Sequence, residues 1–204
     1  FASSIAITAP VAGFLKEEAS RSYEKKNLSL FEKEIKKVFN YLNEAKTISA
    51  NFVQTSPIGD VSEGKFYLKK PSKIRWEYLT PNRIIIILNG NLLSYHDLEM
   101  NQLSFGSADK NIASFLVKEK IRYDDPDVEI LDIAKVDNIL SMVIKILSKQ
   151  EEGNLNLVFS LDPVELIQLN IINPSGEITY INFTDAKKNV TLSNNLFHAQ
   201  KFSK

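Results

Sequence analysis

The stretch KKPSKIRWEYLTPNRIIIILNGNLLSYHD, residues 69–97, carries the clearest fold signal in the chain. Its first part, SKIRWEYL, alternates polar and apolar residues, which is typical of a strand with one buried face. Asn89-Gly90 then separates two apolar runs, and both residues tolerate the positive φ of a type I′ turn, so a hairpin is predicted there. The run Ile84–Leu88 is aliphatic throughout, and we therefore expect this strand to be covered on both faces.

A long amphipathic helix precedes the strands. Apolar residues recur at three- and four-residue steps from Leu28 to Ala45, with lysines and glutamates between them, which predicts one helix with a buried stripe. A second, shorter helix is predicted at 107–119, where Ser107 would cap it and apolar residues follow at helical spacing. Both helices need an apolar surface to cover.

Alternating runs separated by turn residues predict about ten antiparallel strands. The segment DNILSMVIKILSK fits both periods, and its β-branched residues favour a strand. The last two predicted strands are EITYINFT and KKNVTLSN, with Asp185-Ala186 as the turn between them.

Such a sheet cannot stay flat, because open twisted sheets of that size curl or split. The pattern therefore predicts a mainly β protein with α (α+β), in which a strongly curved antiparallel sheet surrounds an apolar concavity. A tight barrel filled by its own side chains and an unclosed barrel with a helical lid both satisfy it. In the first case Ile84–Leu88 is simply a buried central strand; in the second it belongs to a lipid-facing wall.

No repeat, low-complexity tract or linker divides the 204 residues, so 27–204 is predicted to form a single domain. The preceding segment, 1–26, is predicted to be a lead-in. It begins FASSIAITAPVAGFL, which is rich in small and apolar residues and uncharged. Such a segment is either a signal-peptide remnant or a disordered terminus.

Composition argues against several function classes. The 25 basic and 25 acidic residues cancel, so no nucleic acid partner is expected. The chain has no cysteine and only two histidines, His96 and His198, which leaves no thiol chemistry and few metal ligands. The acidic cluster YDDPD, residues 123–127, lacks the spacing of a calcium loop and is interpreted as a solvated turn. We predict no enzyme activity, no metal and no cofactor.

Several motifs, taken in order, resemble one protein family. These are ISANFVQTS, GKFYLKKPSKIRWEY, NGNLLSYHD and the closing GEITYINFTDAKKNVTLSNNLFHAQKF. The chain resembles the periplasmic outer-membrane lipoprotein carrier (LolA) family from about Phe31 to Phe202. The resemblance implies an unclosed barrel with a helical lid that binds the acyl chains of lipoproteins. It also implies a periplasmic, monomeric carrier that is loaded by an ATP-driven inner-membrane release complex and unloaded at an outer-membrane acceptor.

The resemblance also suggests roles for individual residues. The family's basic residue before the proline of the second turn falls on Lys70, and this position closes the lid in the family. Arg75 is a second candidate for lid closing. Because an ammonium makes fewer directed bonds than a guanidinium, Lys70 implies a weaker closure than arginine. Together with the alternating pattern, the resemblance predicts a lipid-binding cavity wall of Phe52, Phe66, Leu68, Ile74, Trp76, Tyr78 and Ile86.

Two rival functions share the same architecture. The chain could be a binding module for another hydrophobic ligand, or a sensor of envelope stress that recognises lipoproteins. A structural sandwich with a filled core is a third alternative. The pattern alone does not choose among them.

Overall fold

The computed structural model describes residues 28–107 and 112–199. The predicted lead-in 1–26 lies outside the described residues. The helices are α1 (Glu32–Glu44) and 3-10 helices at Ile112–Val117, Leu147–Glu152 and Asn194–Phe197. The strands are β1 (Thr47–Thr55), β2 (Val61–Lys69), β3 (Lys73–Thr80), β4 (Ile84–Asn89), β5 (Leu92–Asp97), β6 (Gln102–Ser107), β7 (Val128–Val136), β8 (Ile139–Ile146), β9 (Asn154–Leu161), β10 (Val164–Ile172) and β11 (Ile178–Lys188).

The strands form one antiparallel sheet in the order β6-β5-β4-β3-β2-β1-β11-β10-β9-β8-β7. Chain neighbours pair within each half, and the pairing of β1 with β11 joins the halves. Within the described residues β6 and β7 end the sheet without pairing to each other, so the barrel is not closed. This confirms the predicted mainly β, unclosed antiparallel barrel, with eleven strands rather than about ten.

The sheet curls around its larger apolar core, which lies on the concave face. The 3-10 helix Ile112–Val117 contacts both β3 and β9, which lie far apart in the sheet order. Helix α1 lies over β9 and β10 and buries its stripe of Ile35, Val38, Phe39, Tyr41 and Leu42. Both covering elements therefore lie on the concave face, where the amphipathic pattern placed them.

Strand β4 is covered on both faces, as expected from its aliphatic run. Leu88 and Ile86 belong to the core on the concave face. Ile85 and Ile87 face the other way and pack with Phe197, which is fully buried. The second cover is thus the 3-10 helix Asn194–Phe197 on the convex face, and the prediction is confirmed.

Two predicted turns differ in the structure. In the β4–β5 hairpin Asn89 pairs with Leu92, so the two-residue loop is Gly90-Asn91 rather than Asn89-Gly90. Gly90 has φ +64°, and a glycine with positive φ at the first loop position is typical of type II′. Asp185-Ala186 is not a turn but the site of a bulge within β11. The strand has one extra residue here, so its register with β1 shifts, and Asp185 adopts φ +52°. The predicted strand KKNVTLSN is therefore wrong.

The second helix is shorter than predicted. Ser107 is the last residue of β6, so it does not cap a helix, and the described helical part is Ile112–Val117. The ambiguous segment at 139–146 is strand β8, as its β-branched residues indicated. None of the helices in the described part of the chain is both long and apolar enough to span a membrane.

Candidate functional site

The concave face brings the predicted wall residues together in one apolar surface. They come from β1, β2, β3 and β4, and alternate residues of each strand share this face. All belong to the same core. Five are buried, namely Phe52, Phe66, Leu68, Ile74 and Trp76, and two are partly buried, namely Tyr78 and Ile86.

Aromatic rings form the centre of this wall. The Trp76 ring lies tilted against Phe66 with the ring centroids 4.4 Å apart, and it meets Phe52 edge-on at 5.1 Å. Phe52 also meets Tyr78 edge-on at 5.1 Å. Phe183, which the sequence analysis missed, lies 5.2 Å from Phe66. The alternation of Ile181 and Phe183 in β11 was the signal that could have placed it on the wall.

Gly64 makes room for this cluster. It pairs with Phe52 on one side and Tyr78 on the other. A Cβ at Gly64 would collide with the carbonyl oxygen of Glu77 and lie 2.8 Å from two ring carbons of Phe52. The glycine therefore allows the Phe52 ring to approach the backbone of β2 closely.

The polar groups of Tyr78 and Gln54 are turned toward each other. The Tyr78 hydroxyl donates to Gln54 Oε1 at 3.0 Å. Burial raises the pKa of Tyr78 to about 12, so the phenol stays neutral. This part of the wall carries no charge.

Lid elements occupy the space in front of the wall. Tyr41 of α1 meets Phe159 edge-on at 6.1 Å, and Phe115 and Leu116 of the 3-10 helix Ile112–Val117 are buried in the same core. We call α1 and the segment 112–121 the lid. Because the lid side chains pack in the concavity, an apolar ligand would have to displace them.

Lys70 bonds the end of α1. Its Nζ donates to the carbonyl oxygen of Leu42 at 2.8 Å, in the last turn, where helix carbonyls lack partners within the helix. A cation at this end is also favoured by the helix dipole. Burial, together with the charge of Lys46, lowers the pKa of Lys70 to about 8, while Glu119 acts in the opposite direction.

Asn43 ties the two parts of the lid to each other. Its Nδ2 donates to the carbonyl oxygen of Ile121 at 2.9 Å, and its Oδ1 accepts from the Ile121 backbone N–H at 2.8 Å. Ile121 itself is almost fully buried. Next to this pair, the Ser72 N–H donates to the Val117 carbonyl at 3.0 Å, which joins the lid to the turn before β3. Asn43 lies off the apolar stripe of α1, and no sequence signal marked it.

A protein-family model for the outer membrane lipoprotein carrier protein LolA matches residues 43–200. The chain belongs to this family. Its recognition from the four sequence motifs is confirmed.

Curated relatives match over most of their length. An outer-membrane lipoprotein carrier protein of Methylococcus capsulatus is 27% identical over an alignment of 167 residues that covers 78% of this chain and 79% of the relative. The outer-membrane lipoprotein carrier protein of Francisella philomiragia is 28% identical over 166 aligned residues. The alignment covers 78% of this chain and 80% of the relative. An uncharacterized protein of Rickettsia prowazekii is 28% identical over 158 aligned residues. The alignment covers 78% of this chain and 72% of the relative.

A solved structure shows the same fold. It is an uncharacterized conserved protein from Thermus thermophilus, with a TM-score of 0.52 at 12% identity. The match covers 83% of this chain and 94% of that one. At this identity the likeness concerns the fold alone.

Arg75 lies away from the lid of this LolA-family chain. It alternates with Ile74 and Trp76, so its side chain is on the convex face. Its Nε and Nη2 donate to Glu77 Oε2, each at 3.0 Å, and Nη1 donates to the Leu196 carbonyl at 3.1 Å. These contacts hold the C-terminal 3-10 helix, whereas Lys70 is the predicted lid residue that reaches α1.

The two histidines and the acidic YDDPD cluster are the other residues that the sequence analysis considered. His96 is buried and, with His198 and Arg75, lines a groove of about 290 Å³ on the convex face. In the YDDPD turn, Asp127 accepts from the Ser148 N–H and hydroxyl and lies 3.5 Å from Lys118 Nζ. The described residues contain no cluster of three metal-binding side chains.

Proposed function

We propose that this protein is a periplasmic carrier that binds the acyl chains of lipoproteins between the concave wall and the lid. In this proposal an ATP-driven inner-membrane release complex loads it, and an outer-membrane acceptor unloads it. Residues 27–204 form the carrier domain, which acts as a monomer. The observation that carries the proposal is an aromatic and aliphatic concave wall whose cover is attached by polar contacts at its end. Membership of the LolA family supports it.

Displacement of the lid explains how such a carrier binds and still releases its cargo. Burying hydrocarbon is worth about 0.8 kcal/mol per CH₂, so a chain of roughly sixteen carbons gains on the order of 12 kcal/mol. Binding that tight would oppose transfer. Because the lid already fills the concavity, cargo entry exposes lid side chains such as Phe39 and Leu42, which lowers the net affinity. Closure of the lid then favours release.

No catalytic step is part of this proposal. The wall is apolar, and the polar atoms of Tyr78 and Gln54 bond each other, so the wall offers no charged group to activate a substrate. Acyl chains bind by non-directional burial, which needs neither a nucleophile nor a cofactor.

Displacement of a bound fluorescent dye tests the proposal. Anilinonaphthalene sulfonate would be bound to the purified protein and displaced with a triacylated lipopeptide, with a single-chain fatty acid for comparison. Preferential displacement by the lipopeptide supports the carrier function. Stronger displacement by the fatty acid would favour a carrier of another hydrophobic ligand, and no dye binding would contradict an accessible cavity.

Neighbouring residues of β4 provide a matched pair for the same assay. Ile86 faces the wall, whereas Ile85 packs under Phe197 on the convex face. We expect Ile86→Ala to weaken lipopeptide binding by roughly tenfold, because the shorter side chain loses contact with about two CH₂ groups of the ligand. Ile85→Ala should lower the stability of the fold and leave lipopeptide affinity unchanged. Equal affinities for both variants would contradict a binding site on the concave face.

A further inference from the structure

The two ends of the open sheet are protected to different degrees. An edge strand presents unpaired backbone N–H and C=O groups, to which another chain can add. Natural sheets block such edges with charges, prolines or bulges. In this sheet the edges are β6 and β7, and within the described residues no other strand pairs with their outer sides.

Strand β7 has two of these protections, a bulge and charges. Its register with β8 shifts between Ile130 and Asp132, which marks a bulge. It carries charges at Glu129, Asp132 and Lys135, and Lys135 Nζ bonds Glu34 of α1 at 2.8 Å. A charged and bulged edge is a poor template for a further strand.

Strand β6 has none of them. Its sequence, QLSFGS, contains neither charge nor proline, and its register with β5 is unbroken over all six residues. Phe105 is 59% exposed. It pairs with Ser94, the neighbour of Ile87, so its ring lies on the convex face beside the groove lined by Ser94 and His96.

Gly106 provides a second, independent observation. It has no positive φ, and a Cβ built on it meets no atom of the described residues within 4 Å. Neither its backbone conformation nor its packing against the described residues therefore requires glycine at this position. A glycine inside a strand costs conformational entropy, and it often marks the close approach of another backbone. The open space beside Gly106 fits such an approach.

We propose that β6 is a docking edge to which an extended segment of a partner polypeptide, uncharged except for a basic residue at its C-terminal end, adds antiparallel as a twelfth strand. Backbone hydrogen bonds supply the affinity, and alternate side chains supply the selectivity. The residue of the partner that lies over Gly106 is small, and its neighbour toward Phe105 is apolar. Docking at this edge is independent of the lipid-carrier proposal, because it leaves the lid closed.

The charges near β6 indicate at which end of the partner segment a basic residue would lie. Asp97 ends β5 and exposed Glu99 lies in the turn before β6, and these acidic residues favour a basic residue beside them. In an antiparallel arrangement the C-terminal end of the added segment lies next to Gln102 and this turn. The partner segment therefore ends in lysine or arginine. A second copy of β6 ends in uncharged Gly106 and Ser107, so it fits this charge less well.

A synthetic peptide serves as the probe. It is a fluorescein-labelled, capped nonapeptide of alternating valine and serine with a C-terminal lysine, and its control has proline at two central positions. Binding to the full chain is measured by fluorescence anisotropy, and protection of β6 amides by hydrogen exchange. We expect Gly106→Lys to weaken binding at least about tenfold, because a lysine on an edge strand opposes strand addition. Ala134→Lys, on exposed β7, is the matched control and should have no effect.

Each outcome decides the proposal. Saturable binding that requires Gly106, is lost in the proline peptide and protects β6 amides supports it. Equal binding of both peptides, equal weakening by both lysine variants, or no binding at millimolar peptide would overturn it. Concentration-dependent dimerisation that Gly106→Lys abolishes would also overturn it, by showing that a second copy occupies the edge. Unfolding curves of both variants distinguish lost docking from lost fold.

Discussion

At the scale of single residues, Lys70 combines a buried ammonium with a bond to a helix end. Its Nζ donates to the Leu42 carbonyl, and burial lowers its pKa from 10.5 to about 8. A lower pKa in the folded state means that the unfolded chain binds more protons between these two values. The contribution of Lys70 to stability therefore rises with pH in this range and does not change with pH below it.

We predict that the free energy of unfolding of the wild type, relative to Lys70→Met, increases between about pH 8 and about pH 10.5. Methionine has similar length but does not titrate, so the other groups cancel in the difference. Urea unfolding followed by the fluorescence of Trp76, which is the chain's one tryptophan and is 7% exposed, measures it. A difference that is constant over this range would show that Lys70 has an ordinary pKa in the folded protein.

Gly64 contributes to stability because the atoms around it leave no space for a side chain. We predict that Gly64→Ala destabilises the fold by about 1–3 kcal/mol, because the methyl group meets the Glu77 carbonyl and the Phe52 ring. Gly106→Ala is the matched control, since its Cβ has open space, and it should be neutral or stabilising. Thermal unfolding of the two variants makes the comparison. Equal effects would mean that the Phe52 ring moves aside without cost.

At the scale of secondary structure elements, the lid consists of two segments joined by one side chain. Asn43 bonds both backbone groups of Ile121, so the end of α1 and segment 112–121 share a connection. Lys70 and Ser72 hold each of these segments to the turn between β2 and β3. These contacts favour movement of the two lid segments together.

We predict that Asn43→Ala costs about 1–3 kcal/mol, because it leaves the Ile121 N–H and C=O without these partners in a buried place. Hydrogen exchange should become faster in both α1 and 112–121. Asn40→Ala, at an exposed position of the same helix, is the control and should leave exchange of 112–121 unchanged. If Asn43→Ala accelerates exchange only within α1, the two lid segments open independently.

At the scale of the whole molecule, apolar burial and balanced charge determine how ligand binding should respond to salt. The 25 basic and 25 acidic residues cancel, and the proposed cavity wall is uncharged at neutral pH. Charged ligands are attracted by fields that salt screens, whereas burial of hydrocarbon is not screened. The affinity for an acylated ligand should therefore depend much less on salt concentration than the affinity of an electrostatic interaction does.

We predict that lipopeptide affinity changes less than about threefold between roughly 0.05 M and 0.5 M sodium chloride, because screening leaves hydrophobic burial intact. Sodium sulfate at the same ionic strength should strengthen binding, because it favours burial of apolar surface. Titration calorimetry at each salt concentration measures both effects. A steep loss of affinity in sodium chloride would indicate a charged docking surface in place of the apolar wall.

The sequence by itself determined which residues share a face and which family the chain belongs to. Alternation in β1 to β4 placed the wall residues on one surface, because successive side chains of a strand point to opposite faces. The aliphatic run of β4 indicated two covers, and the structure supplies the core and Phe197. Local patterns of this kind depend only on neighbours in the chain.

The tertiary structure alone decided which segments meet. Asn43 bonds Ile121, 78 positions away, and Lys69 Nζ donates to Asn194 Oδ1, 125 positions away. No local sequence pattern connects residues so far apart in the chain. The bulge at Asp185 is visible only in the pairing of β11 with β1, and the sequence alone suggested a turn there. The position of β6 at the edge of the described sheet depends on the pairing of all the strands and not on the residues of one of them.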